Sequence, residues 1–215
     1  MSSENLARAF VAQVSALRFE NVFNPYSDVC RIHDKDHANV VRAENLISVL
    51  TAALDGGVHS IWIARDLGRR GGRRTGLPLT DESNLINHAN LLGSRPLQKA
   101  TRTPIVSEIT ARVVWERLLL VNRRVFLWNI FPLHPHDSGD SLSNRHHNRL
   151  ERVACAHLIL WLVDHLRPTQ LVAIGADAAK ALMLQKLSFG SVRHPSFGGQ
   201  AEFRRGVNRI YKLRS

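Results

Sequence analysis

The chain's 215 residues are 44% hydrophobic and 22% charged, which suits a folded domain with a real core and excludes wholesale disorder. Lys and Arg number 29 against 18 Asp and Glu; the formal charge of +11 draws polyanions, nucleic acid above all, although a merely soluble basic protein shares it. Two distant cysteines, Cys30 and Cys155, argue against a disulfide scaffold or an ordinary zinc site, and no apolar run approaches the ~18 residues of a membrane span. The N-terminus lacks a signal-peptide core, so a cytoplasmic enzyme or binding protein is expected.

Apolar positions Leu6, Ala7, Phe10, Val11, Val14 and Leu17 recur at helical spacing and predict a helix over 4–19, broken by a turn at Asn24-Pro25-Tyr26-Ser27. A second amphipathic helix spans 38–54 and stops at Asp55-Gly56-Gly57, and Ser60–Ala64 follows as a short buried strand. The segment 68–76, with four glycines and four arginines, reads as a flexible loop. A weak helix over 83–93 and a stronger one over 107–121 lead to a second strand, 125–130. The polar interval 134–148 is a long loop, of the kind that often carries function. Helix 149–165, strand Gln170–Ile174, helix 176–186 and a short strand before His194 come next, and the tail 203–215 reads as a strand or a helix. This alternation predicts an α/β fold in which helices cover both faces of a mostly parallel sheet. No linker divides 1–215, so the N-terminal helices, about 1–55, are expected to pack on the sheet within one domain.

Three polar residues stand where apolar strands end, and strand ends converge on one crevice in an open α/β sheet. Asp66 can orient a water or stabilise a developing cation, or it can simply cap a turn. Arginines surround it, and Gly68, Gly71, Gly72 and Gly76 let backbone amides approach a ligand, which suits a phosphodiester passing over an acid. Asn129 carries an amide that both donates and accepts; it matches the imide edge of uracil and repels cytosine, unless it only ties down a turn. His194, held extended by Pro195, can bond a leaving oxygen or supply a proton. His59, His88, His157 and His165 read as structural. His134, His136, His146 and His147 crowd one loop, but their spacing fits no compact zinc motif and no metal is expected.

In combination these segments resemble the uracil-DNA glycosylase superfamily over roughly residues 60–200. The run Leu166–Ala176 with Ala179-Lys180-Ala181-Leu182 looks like the core segment of its iron–sulfur branch, and Gly76-Leu77-Pro78-Leu79 like that branch's Gly-x-Pro-Phe. His194-Pro195-Ser196 looks like the shared His-Pro-Ser motif, whereas Ala64-Arg65-Asp66-Leu67-Gly68 resembles the water-activating motif of another branch. The resemblance implies a three-layer α/β/α sandwich with a central, mostly parallel four-stranded sheet. It implies Asp66 as the water-activating acid, Asn129 as the reader of uracil and His194 as the group stabilising the uracil oxygen. Leu79 takes the place of the stacking aromatic, for which Phe131 or another aromatic can substitute, and Gly68 completes the uracil site. Phe197 lies where a wedge into the duplex begins. Arg69, Arg70, Arg73, Arg74, Ser196, Arg204 and Arg205, with Arg209 and Lys212 of the tail, are the expected DNA contacts. Two cysteines cannot supply the four ligands of an iron–sulfur cluster, so no cofactor is expected.

The implied activity is flipping of uracil from DNA and hydrolysis of its N-glycosidic bond, which leaves an abasic site and free uracil; a monomer without membrane contact suffices. Alternatives are a glycosylase for hypoxanthine or xanthine, an inactive DNA-binding protein of the same fold, and a metal-dependent phosphoesterase built on the histidine-rich loop.

Overall fold

The computed structural model describes residues 1–213; Arg214 and Ser215, the end of the tail, lie outside the described residues. Helix α1 (Ser3–Ala16) starts at Ser2, whose hydroxyl accepts the Asn5 amide, and turns Ala7, Phe10, Val11 and Val14 into the core. A two-residue strand β1 (Val22–Phe23), helix α2 (Ala38–Gly56) and strand β2 (Ser60–Ala64) follow. Next come the single turn α3 (Gly72–Thr75), α4 (Leu85–Leu92), α5 (Ile109–Val121), β3 (Val125–Asn129) and the short β4 (His134–Pro135). The chain closes with α6 (Arg149–Leu166), β5 (Gln170–Ile174), α7 (Ala176–Leu184), β6 (Gly190–Val192) and α8 (Gln200–Tyr211). The tail is therefore a helix: Phe203 and Val207, one helical turn apart, are its buried pair.

Four strands form a wholly parallel sheet in the order β3-β2-β5-β6. Side-chain alternation splits it cleanly into two faces. Ile61, Ile63, Phe126, Trp128, Leu171 and Ala173 join one core with α1, α2, α4, α6 and α7. Trp62, Ala64, Val125, Leu127, Val172 and Ile174 join the other with α5 and α8. The result is the expected three-layer sandwich, and burial on both faces accounts for continuous apolar strands instead of alternating ones. A second, two-stranded sheet pairs β1 with β4 antiparallel, an element too short to leave a sequence pattern.

The segment 68–76 departs from expectation. It is not a flexible loop: α3 occupies its centre, and Arg73 and Arg74 are only 2% and 4% exposed. Arg73 lies over the Phe23 ring, 4.0 Å from its centroid, and Arg74 bonds Glu82 (3.0 Å), Thr101 (3.1 Å) and Thr103 (2.7 Å). The assignment of Arg73 and Arg74 to DNA is thereby corrected, since their charges are spent inside the fold. Arg42 braces the same segment from α2: it donates to the Arg74 carbonyl (3.1 Å) and forms an ion pair with Asp34 in which both side chains are fully buried. Asp34→Ala would strand that guanidinium without its counter-charge, so we expect a loss of about 3–5 kcal/mol in urea denaturation.

Candidate active site

The carboxyl ends of the parallel strands share one edge of the sheet, where crevices form. Asn129 ends β3, Asp66 lies two residues past β2, Gly175 follows β5 and His194 lies two residues past β6. Ala64 pairs with Asn129 in register, and the N–H groups of Ile130 and Phe131 donate to the carbonyls of Ala64 and Arg65 (2.9 and 3.0 Å). The two chains thus leave the sheet side by side.

Asn129 shares its parity with Val125 and Leu127 and so belongs to the α5/α8 face. Its side chain is 1% exposed, yet neither the amide nitrogen nor the carbonyl oxygen has a hydrogen-bond partner. A buried carboxamide with both ends unpaired costs roughly 1–3 kcal/mol, so this residue is poorly explained as a turn tie.

His194 is fixed by its own motif. The Ser196 backbone N–H donates to Nδ1 at 3.2 Å, and the Ser196 hydroxyl lies 2.7 Å from the same nitrogen. A backbone amide can only donate, so Nδ1 is the acceptor and the ring proton of the neutral form resides on Nε2. Burial, reinforced by Arg65, pulls the ring's pKa down to about 4, and the imidazole is neutral near pH 7. Gly175, at φ +91°, lets the ring approach: a Cβ there would press on the His194 Cβ at 3.2 Å. Ser196 is thus occupied in orienting the histidine.

Asp66 accepts from Arg65 Nε at 2.9 Å, and His147 Nδ1 lies 3.5 Å from the same oxygen, Oδ2. Burial alone would raise the carboxyl's pKa, but His147 and Arg65 outweigh it and hold the group below the usual carboxylate range. Arg65 also donates to His146 Nε2 (2.7 Å) and reaches Asp177 of α7 at 3.7 Å. His146 and His147 were absent from the sequence-derived site; the crowding of histidines in 134–148 was the only hint.

The other candidates separate. Leu79, at φ +56°, is nearly buried in the same apolar cluster as the β3 face, and its carbonyl accepts from Trp115 Nε1 at 3.1 Å. Phe131 is fully buried and packs against the rings of Phe19 and His147, 5.5 and 5.8 Å away. Gly68 touches Glu108, whose carboxyl a Cβ at Gly68 or Gly71 would strike; burial and then Asp81 push the Glu108 pKa up to about 7. Arg69 and Arg70 are exposed and line, with His33, Arg74, Val106 and Leu142, a basic cavity of about 180 Å³. Phe197 is 96% exposed with φ +50°, an unusual state for a large apolar residue. Arg204 is tied to Glu116 (2.8 Å), whereas Arg205 is exposed. Arg209 and Lys212 flank Tyr211, whose hydroxyl contacts Ser60 at the start of β2, so they lie toward the opposite edge from the site. Asp81 and Glu82, possible stand-ins for Asp66, are buried and already bonded to Asn84, Glu108 and Arg74. A larger cavity of about 490 Å³, lined by Val40, Glu44, Asn45 and Arg95 among others, holds none of the site residues.

Among the described residues no group of three or more His, Cys, Asp or Glu is arranged to hold a metal, and no helix is long and apolar enough to cross a membrane. The chain's two cysteines, both buried and unpaired, do not fit a four-cysteine cluster.

Fold and site together define an open parallel α/β protein with polar side chains gathered at the carboxyl edge of its sheet. Residues 61–212 match the model of the uracil DNA glycosylase superfamily, and the chain belongs to that superfamily. Membership makes it a DNA glycosylase in the broad sense. The crystal structure of Pedobacter heparinus SMUG2 is similar in fold, with a TM-score of 0.58 at 14% identity over 94% of this chain and 95% of that one. A search of curated proteins finds no matching sequence.

Proposed function

We propose that the chain, acting as one domain and as a monomer, excises uracil from DNA by hydrolysis of the N-glycosidic bond, and that no cofactor takes part. The observation that carries this reading is the sealed, unpaired Asn129 amide: its carbonyl can accept the uracil N3–H while its NH₂ donates to the adjacent oxygen. Cytosine offers the opposite pattern and leaves both groups unsatisfied. Asn129→Asp should therefore cut uracil excision and admit cytosine, as read by base release from matched duplexes.

In this scheme the nucleotide is extruded at a cost of roughly a few kcal/mol, and Phe197 fills the space it leaves. The N1–C1′ bond breaks and its electron pair departs with uracil, whose oxygen takes a hydrogen bond from the neutral His194 at Nε2. Asp66 stabilises the sugar cation and accepts the proton of the water that bonds C1′. Leu79 and Phe131 serve as apolar walls beside Gly68.

Arg70 and Arg205 remain free to meet phosphates, and Arg69, exposed but donating to the Leu142 carbonyl at 3.2 Å, can add a contact with its remaining N–H groups, whereas Arg73 and Arg74 do not. Arg70→Gln should flatten the dependence of log K on log salt by about 0.7–0.9, the contribution of one phosphate contact. Arg74→Gln should leave that slope alone and lower thermal stability instead.

The primary test is alkali-induced strand cleavage of duplexes carrying uracil, hypoxanthine or xanthine. Cleavage at uracil supports the proposal. Cleavage only at a purine would transfer the activity to another deaminated base, and tight binding without abasic sites would leave a DNA-binding protein of the same fold.

A further inference from the structure

The histidine-rich loop is the one sequence feature that the proposed chemistry does not use. Its end is held rigidly. Arg145 bonds Glu151 through both terminal nitrogens (2.9 and 2.6 Å) and donates to the carbonyl of His136 at 2.9 Å. Asn148 and Glu151 form a reciprocal capping box at the start of α6. His146 and His147 lie between these two anchors, and their rings close on the Arg65–Asp66 pair from the loop side. A guanidinium has only donors, so His146 Nε2 accepts from Arg65.

His147 differs from the structural histidines of this fold. His88 bonds the Thr80 hydroxyl at 3.0 Å and His134 donates to the Leu67 carbonyl at 2.8 Å. The His147 side chain is 4% exposed, and its Nδ1 has no hydrogen-bond partner; what it faces is the Asp66 carboxylate. Arg65 and His147 both address Oδ2. Among the described residues, none bonds Oδ1, the other oxygen of that carboxylate. Two neighbours on one oxygen fix the rotation of the group and leave its second oxygen for a water.

We propose that His147 is a positioning residue for Asp66, holding the carboxylate in the orientation from which Oδ1 meets the attacking water; the role in water activation rests on the function proposed above. The charged and titratable groups around Asp66 are Arg65 on its own strand end, His147 and Arg145 from the loop, His134 from β4 and His194 from beyond β6, with His146 of the loop and Asp177 of α7 reached through Arg65. Of these only His147 and Arg65 touch the carboxylate.

The test pairs His147→Ala with His147→Asn, whose amide nitrogen can stand where Nδ1 stands. In single-turnover excision from a uracil duplex, the alanine variant should be about 10- to 100-fold slower, the scale of losing an orienting partner, with DNA affinity within about twofold of the parent. Its acid limb should move to higher pH, and the asparagine variant should recover much of the rate. A carboxylate-carbon NMR titration of Asp66 gives a readout independent of substrate: its midpoint should rise in His147→Ala. An unmoved midpoint, or a rate loss matched by an equal loss of DNA affinity, overturns the proposal. A raised midpoint in a protein that releases no uracil keeps the pairing and refutes the assigned substrate instead. If the alanine variant does not fold, the parent still decides: the His147 Nδ1 resonance must step at the pH where Asp66 titrates, and its failure to do so refutes the contact.

Discussion

Asp66→Asn should bind uracil-containing duplex as tightly as the parent while its single-turnover excision falls by about 10³. The amide is nearly isosteric with the carboxylate and can still take the Arg65 hydrogen bond through its oxygen, so the arrangement around it survives. What disappears is the negative charge beside the sugar cation and the site that accepts the water's proton. The expected pH behaviour follows from the same surroundings. The Asp66 pKa lies below the usual carboxylate range, so the group is ionised throughout neutral conditions and gains its proton only as pH falls through that lowered value. His194, with a pKa near 4, is neutral over the same range. On account of these two groups the excision rate should be flat between about pH 5 and pH 8 and should fall on acidification. Rapid-quench assays across that range check both statements. Full activity in Asp66→Asn would hand the role to a different group, and neither Asp81 nor Glu82 is free to take it.

The second large effect is predicted in opposite directions for stability and activity. Asn129→Leu replaces a buried amide with two unpaired ends by a side chain of similar volume that has nothing to satisfy. Native stability should rise by about 1–2 kcal/mol, read as a higher urea midpoint at unchanged slope, while uracil excision falls by at least about 10². A gain of that kind at an active site means that the native residue is kept for its ligand at a cost to the fold. If Asn129→Leu destabilises the protein, the amide is serving the fold, and the recognition role fails.

The order of helices and strands was legible because each rests on local pattern. Ile61, Trp62 and Ile63, or Phe126, Leu127 and Trp128, are continuous apolar triplets bounded by turns, and only a strand buried on both faces needs them. Asp66 and Asn129 were legible for a related reason: each stands at the carboxyl end of such a run, where a parallel sheet gathers its loops, whereas His194, after the short strand Gly190–Val192, was marked by the proline that follows it. The arginines were not. Arg70 and Arg74 are equivalent in sequence, each in an Arg-Arg pair beside glycine, yet one is exposed and the other bonds Glu82, Thr101 and Thr103. Their difference depends on a helical turn and a distant carboxylate that no window of sequence reveals.

By itself, then, the amino-acid order determined the layered α/β architecture, the basic character that suits DNA and the three polar residues at strand ends, because periodicity, charge and chain breaks act over a few neighbours. Tertiary structure alone decided which cations face solvent, that Asn129 is sealed without partners, and that His146, 81 positions from Arg65, closes on it beside the contact of His147 with Asp66. Burial and long-range contact are set by how separate segments cross in space, and the Asp66 carboxylate of one loop meets the His147 imidazole of another only in the folded chain.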